Sequence, residues 1–298
     1  MHRCFVDSSE WAGAEIGLSA AEEHHLIHVL RAGAGDTVAV LDGRGREATA
    51  SVDFLSPRAG KRGGGAGRGV RLRLLSEPVL EPPLSPRIVL LQAIPKGSRM
   101  DWIVEKATEM GVAEIVPVLS ARVAAPWNAK QRAAHQERWR RVAIGAAKQS
   151  GVRWIPELRV PMEYDGVAEA LRGLDLAWVG SLGKDAKPFR EVLRQERSRR
   201  PERIGILIGP EGDLTPEEME CAVKAGAVPV SFGPNTLRVE TAAMFAVSVL
   251  VYEFRDLAQG AARLEGAAAF RECPGDSAAA GAMGAPRHSG KGQSGDRG

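Results

Sequence analysis

The stretch Ile204 to Glu218 constrains the fold more than any other part of this chain. Ile204-Gly205-Ile206-Leu207-Ile208 is a continuous apolar run, the pattern of a strand buried on both faces. Gly209-Pro210-Glu211-Gly212-Asp213 then turns the chain. Thr215 follows as a helix cap, with Pro216 at the first helical position and Glu218 completing a capping box. Val228-Pro229-Val230-Ser231-Phe232 leads in the same way into Gly233-Pro234. Glycine at a strand end lets backbone approach a ligand closely, because it has no Cβ. Ligands of open α/β sheets sit outside the carboxyl ends of the strands. One Gly-Pro pair is ordinary turn punctuation. Two, each leaving a buried strand, favour a pair of loops over one small ligand.

The rest of the chain fits around this unit. From Arg87, strands and helices alternate. Ile88–Ile94 reads as a buried strand, and Ser98 as the cap of a helix with Asp101 at its third position. Ile103, Val104, Ala107 and Met110 form the inner face of that helix, and Gly111 stops it. Ile115–Val118 and Leu176–Gly180 are further strands. A helix is predicted over about 131–150 with Trp139, Val142, Ala143, Ala146 and Ala147 inward, a charged surface helix over 189–199, and an apolar helix over 240–257. Residues 1–77 look β-rich, with a short helix over 21–31 packing Leu26, Val29 and Leu30, and with strands at Thr37–Leu41, Glu47–Val52 and Val70–Leu75. The Pro-rich segment 78–86 reads as a linker, and 258–298 as a disordered tail poor in large apolar residues.

Several function classes drop out. No apolar run reaches the ~18–20 residues that span a bilayer, and the N-terminus lacks the apolar core of a signal peptide. A cytoplasmic protein without a membrane partner is therefore expected. The three cysteines, Cys4, Cys221 and Cys273, match neither a zinc spacing nor a disulfide framework. His24, His25 and His28 cluster on one short helix without a carboxylate at metal-binding spacing, so no metal is expected. There is no Walker sequence and no Gly-x-Gly-x-x-Gly following a strand. Net charge is +3, too small to argue for nucleic acid by itself. Between Phe54 and Ser76, however, there is no acidic residue, against Arg58, Lys61, Arg62, Arg68, Arg71 and Arg73. That segment can track a phosphate backbone or form a solvated glycine-rich hairpin tip.

Ile208-Gly209-Pro210-Glu211-Gly212 and Gly233-Pro234-x-x-Leu237-Arg238-x-Glu240-Thr241-Ala242 resemble motifs of the SPOUT class of RNA methyltransferases. The likeness is strongest to the ribosomal RNA small subunit methyltransferase E family, which methylates N3 of a uridine. Leu90–Gly97, Glu105–Val112, Gln149-Ser150-Gly151 and His25–Arg31 agree in the same order, so the resemblance spans residues 1 to about 257. It implies an α/β fold: a trefoil-knotted domain over 87–257 with a mostly parallel sheet, preceded by a PUA-like β-barrel over 1–77 that helps hold RNA. It further implies a homodimer acting on small-subunit ribosomal RNA or the assembled subunit. S-adenosylmethionine is the implied cofactor, held by Ser181, Leu182, Ile208, Gly209, Pro210, Glu211, Gly212, Phe232, Gly233, Leu237, Arg238 and Thr241.

The chemistry needs N3 of uracil to lose its proton and to face an activated methyl. Arg238 is the candidate cation for the developing uracil anion. Glu240 is the candidate proton acceptor, or orients Arg238; the plainer alternatives are that Glu240 caps the last helix and that Arg238 pairs with Glu211 or Glu240. Lys96 is the leading RNA contact, followed by Arg31 and Arg153. Where the family usually has a second glycine, this chain has Asp213, a residue that tolerates left-handed backbone better than most. Its carboxylate then lies near the donor pocket or faces solvent. Two other readings stay open: ribose 2′-O-methylation of another RNA, and an RNA-binding protein with a vestigial cofactor site.

Overall fold

Ile88 and Leu90 pack to one side of their strand and Val89 and Leu91 to the other, all buried. A strand covered on both faces needs helices above and below it, and the alternating half of the chain supplies them. The computed structural model describes residues 1–11, 13–54, 69–122, 127–196 and 198–255. Among these, eight strands form one sheet whose pairings are all parallel. Its centre runs Glu114–Leu119, Arg87–Ala93, Arg203–Ile208, Leu176–Gly180, Val228–Ser231, side by side. Helices Arg99–Glu109, Ala129–Ser150 and Val239–Phe254 cover one face. Helices Val167–Arg172 and Pro216–Lys224 cover the other.

The N-terminal sheet has the strand order His2–Phe5, Thr37–Leu41, Arg46–Phe54, Val70–Leu74, Glu15–Gly17. Its pairings are antiparallel except that between the first two strands. Val70 and Leu72 are buried while Arg71 and Arg73 are exposed, as period-2 alternation requires. Arg71 pairs with Glu15 at 2.7 Å and Arg73 with Asp53 at 3.3 Å, so the described end of the basic segment is already neutralised. The segment from 55 to 68 and the tail from 256, with Cys273, lie outside the described residues.

Met1–Arg255 packs as one unit. Lys148 on the long helix meets Glu22 at 2.9 Å, and Arg153 bonds both Glu47 and Glu81. The segment read as a linker is fastened in the same way. Val79–Leu80 pairs with Arg46–Glu47, and the Glu81 backbone oxygen accepts from Trp154 Nε1 at 2.9 Å.

Other local differences have identifiable causes. Ser98 makes no side-chain cap bond; Asp101 instead accepts from Trp139 Nε1 at 3.1 Å and pairs with Arg138. The short N-terminal helix stops at His24 and widens into a π turn over His25–Val29, which leaves Val29 exposed while Leu26 stays buried. The charged helix ends at Glu196 and is amphipathic, burying Phe189, Val192 and Leu193. The long helix begins at Ala129 with an Asn128–Gln131 capping box and ends on Gly151 in the left-handed region. Cys4 is buried, and that burial, reinforced by Glu22, pushes its thiol up to about 12.

Candidate active site

Parallel strands that neighbour each other end at the same sheet edge. Arg203–Ile208, Leu176–Gly180 and Val228–Ser231 are consecutive neighbours, so the loops leaving them meet. They enclose a cavity of about 470 Å³, a volume typical of small-molecule sites. Ile208, Gly209, Pro210 and Glu211 come from the first loop, Gly180, Ser181 and Leu182 from the second, and Phe232, Gly233, Leu237, Arg238 and Glu240 from the third. The two Gly-Pro turns thus share one cavity.

Close packing explains one of the glycines and backbone conformation another. A Cβ on Gly180 would lie 3.1 Å from the Phe232 ring, so its absence lets that aromatic form the wall. Gly233 has φ +127, where an L side chain is strained. Phe232 is braced edge-on by Phe189 and tilted against Phe245, with ring centroids 5.6 and 5.5 Å away. The loop after Ile208 is fixed at its far end by Glu218. This buried carboxylate accepts from Thr215 N at 2.9 Å and Ala121 N at 2.7 Å, while the Thr215 hydroxyl accepts from Glu218 N.

Asp213 adopts φ 63, the left-handed conformation its position demands. Its amide donates to Pro210 O at 2.9 Å, and its Oδ1 accepts from Leu214 N at 2.8 Å. The carboxylate lines the cavity, with Oδ2 3.5 Å from Leu182 N. Replacement by glycine should change stability by less than about 1 kcal/mol, since glycine accepts this backbone freely. Replacement by valine should cost about 1–3 kcal/mol, because a β-branched residue does not. Denaturant midpoints of the two variants check the difference; equal midpoints would refute it.

The cavity carries mixed charge. The strand Arg87–Ala93 adjoins Arg203–Ile208, so the chain leaving it also reaches this edge. It brings Arg99, whose Nη1 donates to Glu211 at 2.7 Å and whose Nε lies 3.7 Å from Glu240. The Lys96 amide also donates to Glu211, at 2.9 Å. Arg238 occupies the cap position of helix Val239–Phe254 without a side-chain cap bond, and Glu240 lies in the first turn. A carboxylate suits a helix N-terminus and a cation does not. Arg238 is exposed, and no ion pair involves it among the described residues. The anticipated pairing of Arg238 with Glu211 or Glu240 is therefore replaced by Arg99.

Two of the expected cofactor residues lie off the lining. Gly212 faces Arg122, and Thr241 is exposed on the helix beyond Glu240. The lining adds Arg99, Ser231, Asn235, Thr236, Val239 and Ala242, which were not among the expected cofactor residues. Lys96 sits beside the rim through Glu211, with its side chain exposed. Arg31 is exposed at φ 55 at the end of the π turn. Arg153 is away from the cavity, committed to Glu47 and Glu81. Among the described residues, no group of three or more His, Cys, Asp or Glu could hold a metal ion.

Residues 82–251 match the model of an RNA methyltransferase domain, and residues 18–57 that of an RNA methyltransferase PUA domain. A ribosomal RNA small subunit methyltransferase E from Synechocystis is 31% identical over 83% of this chain and 76% of its own length. The chain belongs to this family. A member from Mycobacterium bovis is 30% identical over 83% and 89%. Among solved structures, a Legionella pneumophila methyltransferase with bound S-adenosylmethionine superposes with a TM-score of 0.73 at 30% identity, covering 85% of this chain and 97% of that one. The Neisseria gonorrhoeae family member, also bound to S-adenosylmethionine, gives 0.70 at 26% identity, covering 85% and 97%. This chain thus shares its overall fold with both of these solved structures.

Proposed function

We propose that this chain is an S-adenosylmethionine-dependent methyltransferase that modifies N3 of a uridine in small-subunit ribosomal RNA. The observation that carries this is the cavity where three neighbouring strand ends meet, in a chain of this family. The residues present suit the cofactor. Ile208, Leu237 and Phe232 give apolar walls, backbone at Gly233 is open, with nothing within 4 Å of where a Cβ would stand, and the carboxylate of Asp213 complements a cationic ligand. S-adenosylmethionine, when bound, supplies a methyl group already activated on a sulfonium.

The chain's own task is to prepare the uracil. Arg238, unpaired at the cavity mouth, stabilises negative charge on a uracil oxygen as N3–H is lost. Glu240, two residues on and also in the lining, receives the N3 proton. The N3 lone pair forms the new C–N bond, and the C–S electron pair remains on sulfur as a neutral thioether. Alignment alone supplies about 7–11 kcal/mol in well-oriented reactions, which makes the rigidity of the three loops part of the catalysis. The base has to leave its stack to reach such a cavity. Lys96 and Arg31 are exposed cations that would meet RNA phosphate.

The same reading takes in a trefoil path through these loops, a PUA-like barrel over 1–77, a methyltransferase domain over 87–257, a cytoplasmic site of action and a homodimer. Phe245 and Tyr252, 41% and 69% exposed on the last helix, offer the apolar surface for a second copy. No described helix is long and apolar enough to cross a membrane. Mapping small-subunit RNA from cells with and without the gene tests the function. One N3-methyluridine should be missing from the latter; an unchanged modification pattern would contradict the proposal.

A further inference from the structure

Among the described residues, the cavity lining holds three carboxylates, Glu211, Asp213 and Glu240, and two guanidiniums, Arg99 and Arg238. Arg99 engages two of the three. Its Nη1 donates to Glu211 at 2.7 Å and to the Lys96 carbonyl at 3.2 Å, while its Nε faces Glu240 at 3.7 Å. Distinct nitrogens of one rigid fork thus span the loop after Ile208 and the start of the last helix, a geometry that a lysine cannot reproduce. These pairs are partly exposed, with 43% of the Arg99 side chain accessible, and such pairs add little to folding stability. Their effect is on which charges remain free.

We infer that Arg99 is a positioning residue that occupies Glu211 and Glu240 and so keeps Arg238 unpaired for the substrate. Without Arg99, Arg238 is the one guanidinium left among the described lining residues, beside Glu240, which has lost its ion partner, and Glu211, which keeps the Lys96 amide. An arginine held in such a pair is unavailable to an anion forming elsewhere. The inference rests on the role proposed above for Arg238.

Full-length Arg99→Ala, Arg99→Lys, Arg238→Ala and the double variant Arg99→Ala/Glu211→Gln test it. Arg99→Ala should lose roughly 10- to 100-fold in kcat, the scale of a misplaced catalytic group. Its melting temperature and its calorimetric affinity for S-adenosylmethionine should stay near wild type. Arg99→Lys should recover only part of the loss. The double variant should be faster than Arg99→Ala, because one of the two carboxylates released to Arg238 is neutralised. Nitrogen-15 NMR of the Arg238 guanidinium should report slowed Cζ–Nε rotation in Arg99→Ala and its release in the double variant. If Arg238→Ala is impaired while Arg99→Ala turns over at the wild-type rate, the inference fails alone. The same holds if the double variant gains nothing. If Arg238→Ala keeps full activity, the role of Arg238 fails, and with it the purpose assigned to Arg99.

Discussion

Arg238→Ala is expected to lower methyl transfer by about 10²–10³-fold, the cost of removing one donor that stabilises an oxyanion in a preorganised site. Deprotonated uracil carries its charge on N3 and the flanking carbonyl oxygens, and Arg238 is the cavity cation that no carboxylate holds among the described residues. Its place at a helix N-terminus is electrostatically unfavourable in the free protein, so folding stability does not account for it. The loss should fall on kcat. Affinity for S-adenosylmethionine should change only a few-fold, because Phe232, Ile208 and the loop backbone remain. Single-turnover transfer of a labelled methyl group, beside calorimetric titration of the cofactor, separates the two effects. A wild-type rate would remove Arg238 from the mechanism.

The second large effect concerns the frame. Trp178 is 1% exposed in the strand Leu176–Gly180, with ring centroids 5.8 Å from Phe189 and 5.9 Å from Phe254. Trp178→Ala should destabilise the fold by about 3–5 kcal/mol, as truncation of a buried aromatic leaves a cavity that surrounding strands cannot close. At about 2–4 °C per kcal/mol for a chain of this size, the melting temperature should fall by about 6–20 °C. Weaker cofactor binding should accompany it, since this strand ends at Gly180 and Phe189 braces Phe232. A melting temperature within a degree of wild type would mean that the core does not depend on this ring.

The parts of the fold that were legible in the sequence are those fixed by local chemistry. The Thr215–Glu218 capping box, the continuous apolar strands and the alternation at Val70–Leu74 each follow from neighbours a few residues apart. So does the left-handed backbone at Asp213, where turn geometry restricts the residue itself. Long-range pairings were not legible. Ser98 has a cap sequence, but Asp101 is claimed by Arg138 and Trp139, some forty positions on. Arg99 reaches Glu211 across 112 positions, and no local pattern distinguishes it from a solvated turn residue. Nothing beside Arg153 in the sequence marks Glu47 and Glu81, in the N-terminal part of the chain, as its partners. The sequence shows two ligand loops. That Leu176–Gly180 would lie between their strands and contribute a third depends on strand order, which periodicity does not encode.

The central claim is that this cavity methylates N3 of uridine, and the reaction product tests it most directly. Purified protein, S-adenosylmethionine and small-subunit ribosomal RNA, as free RNA and as assembled subunit, would be incubated and the RNA digested to nucleosides for mass spectrometry. The expected result is N3-methyluridine from at least one of the two substrates, lost in Arg238→Ala. A 2′-O-methylated nucleoside, or no methylated product from either substrate, would contradict the account.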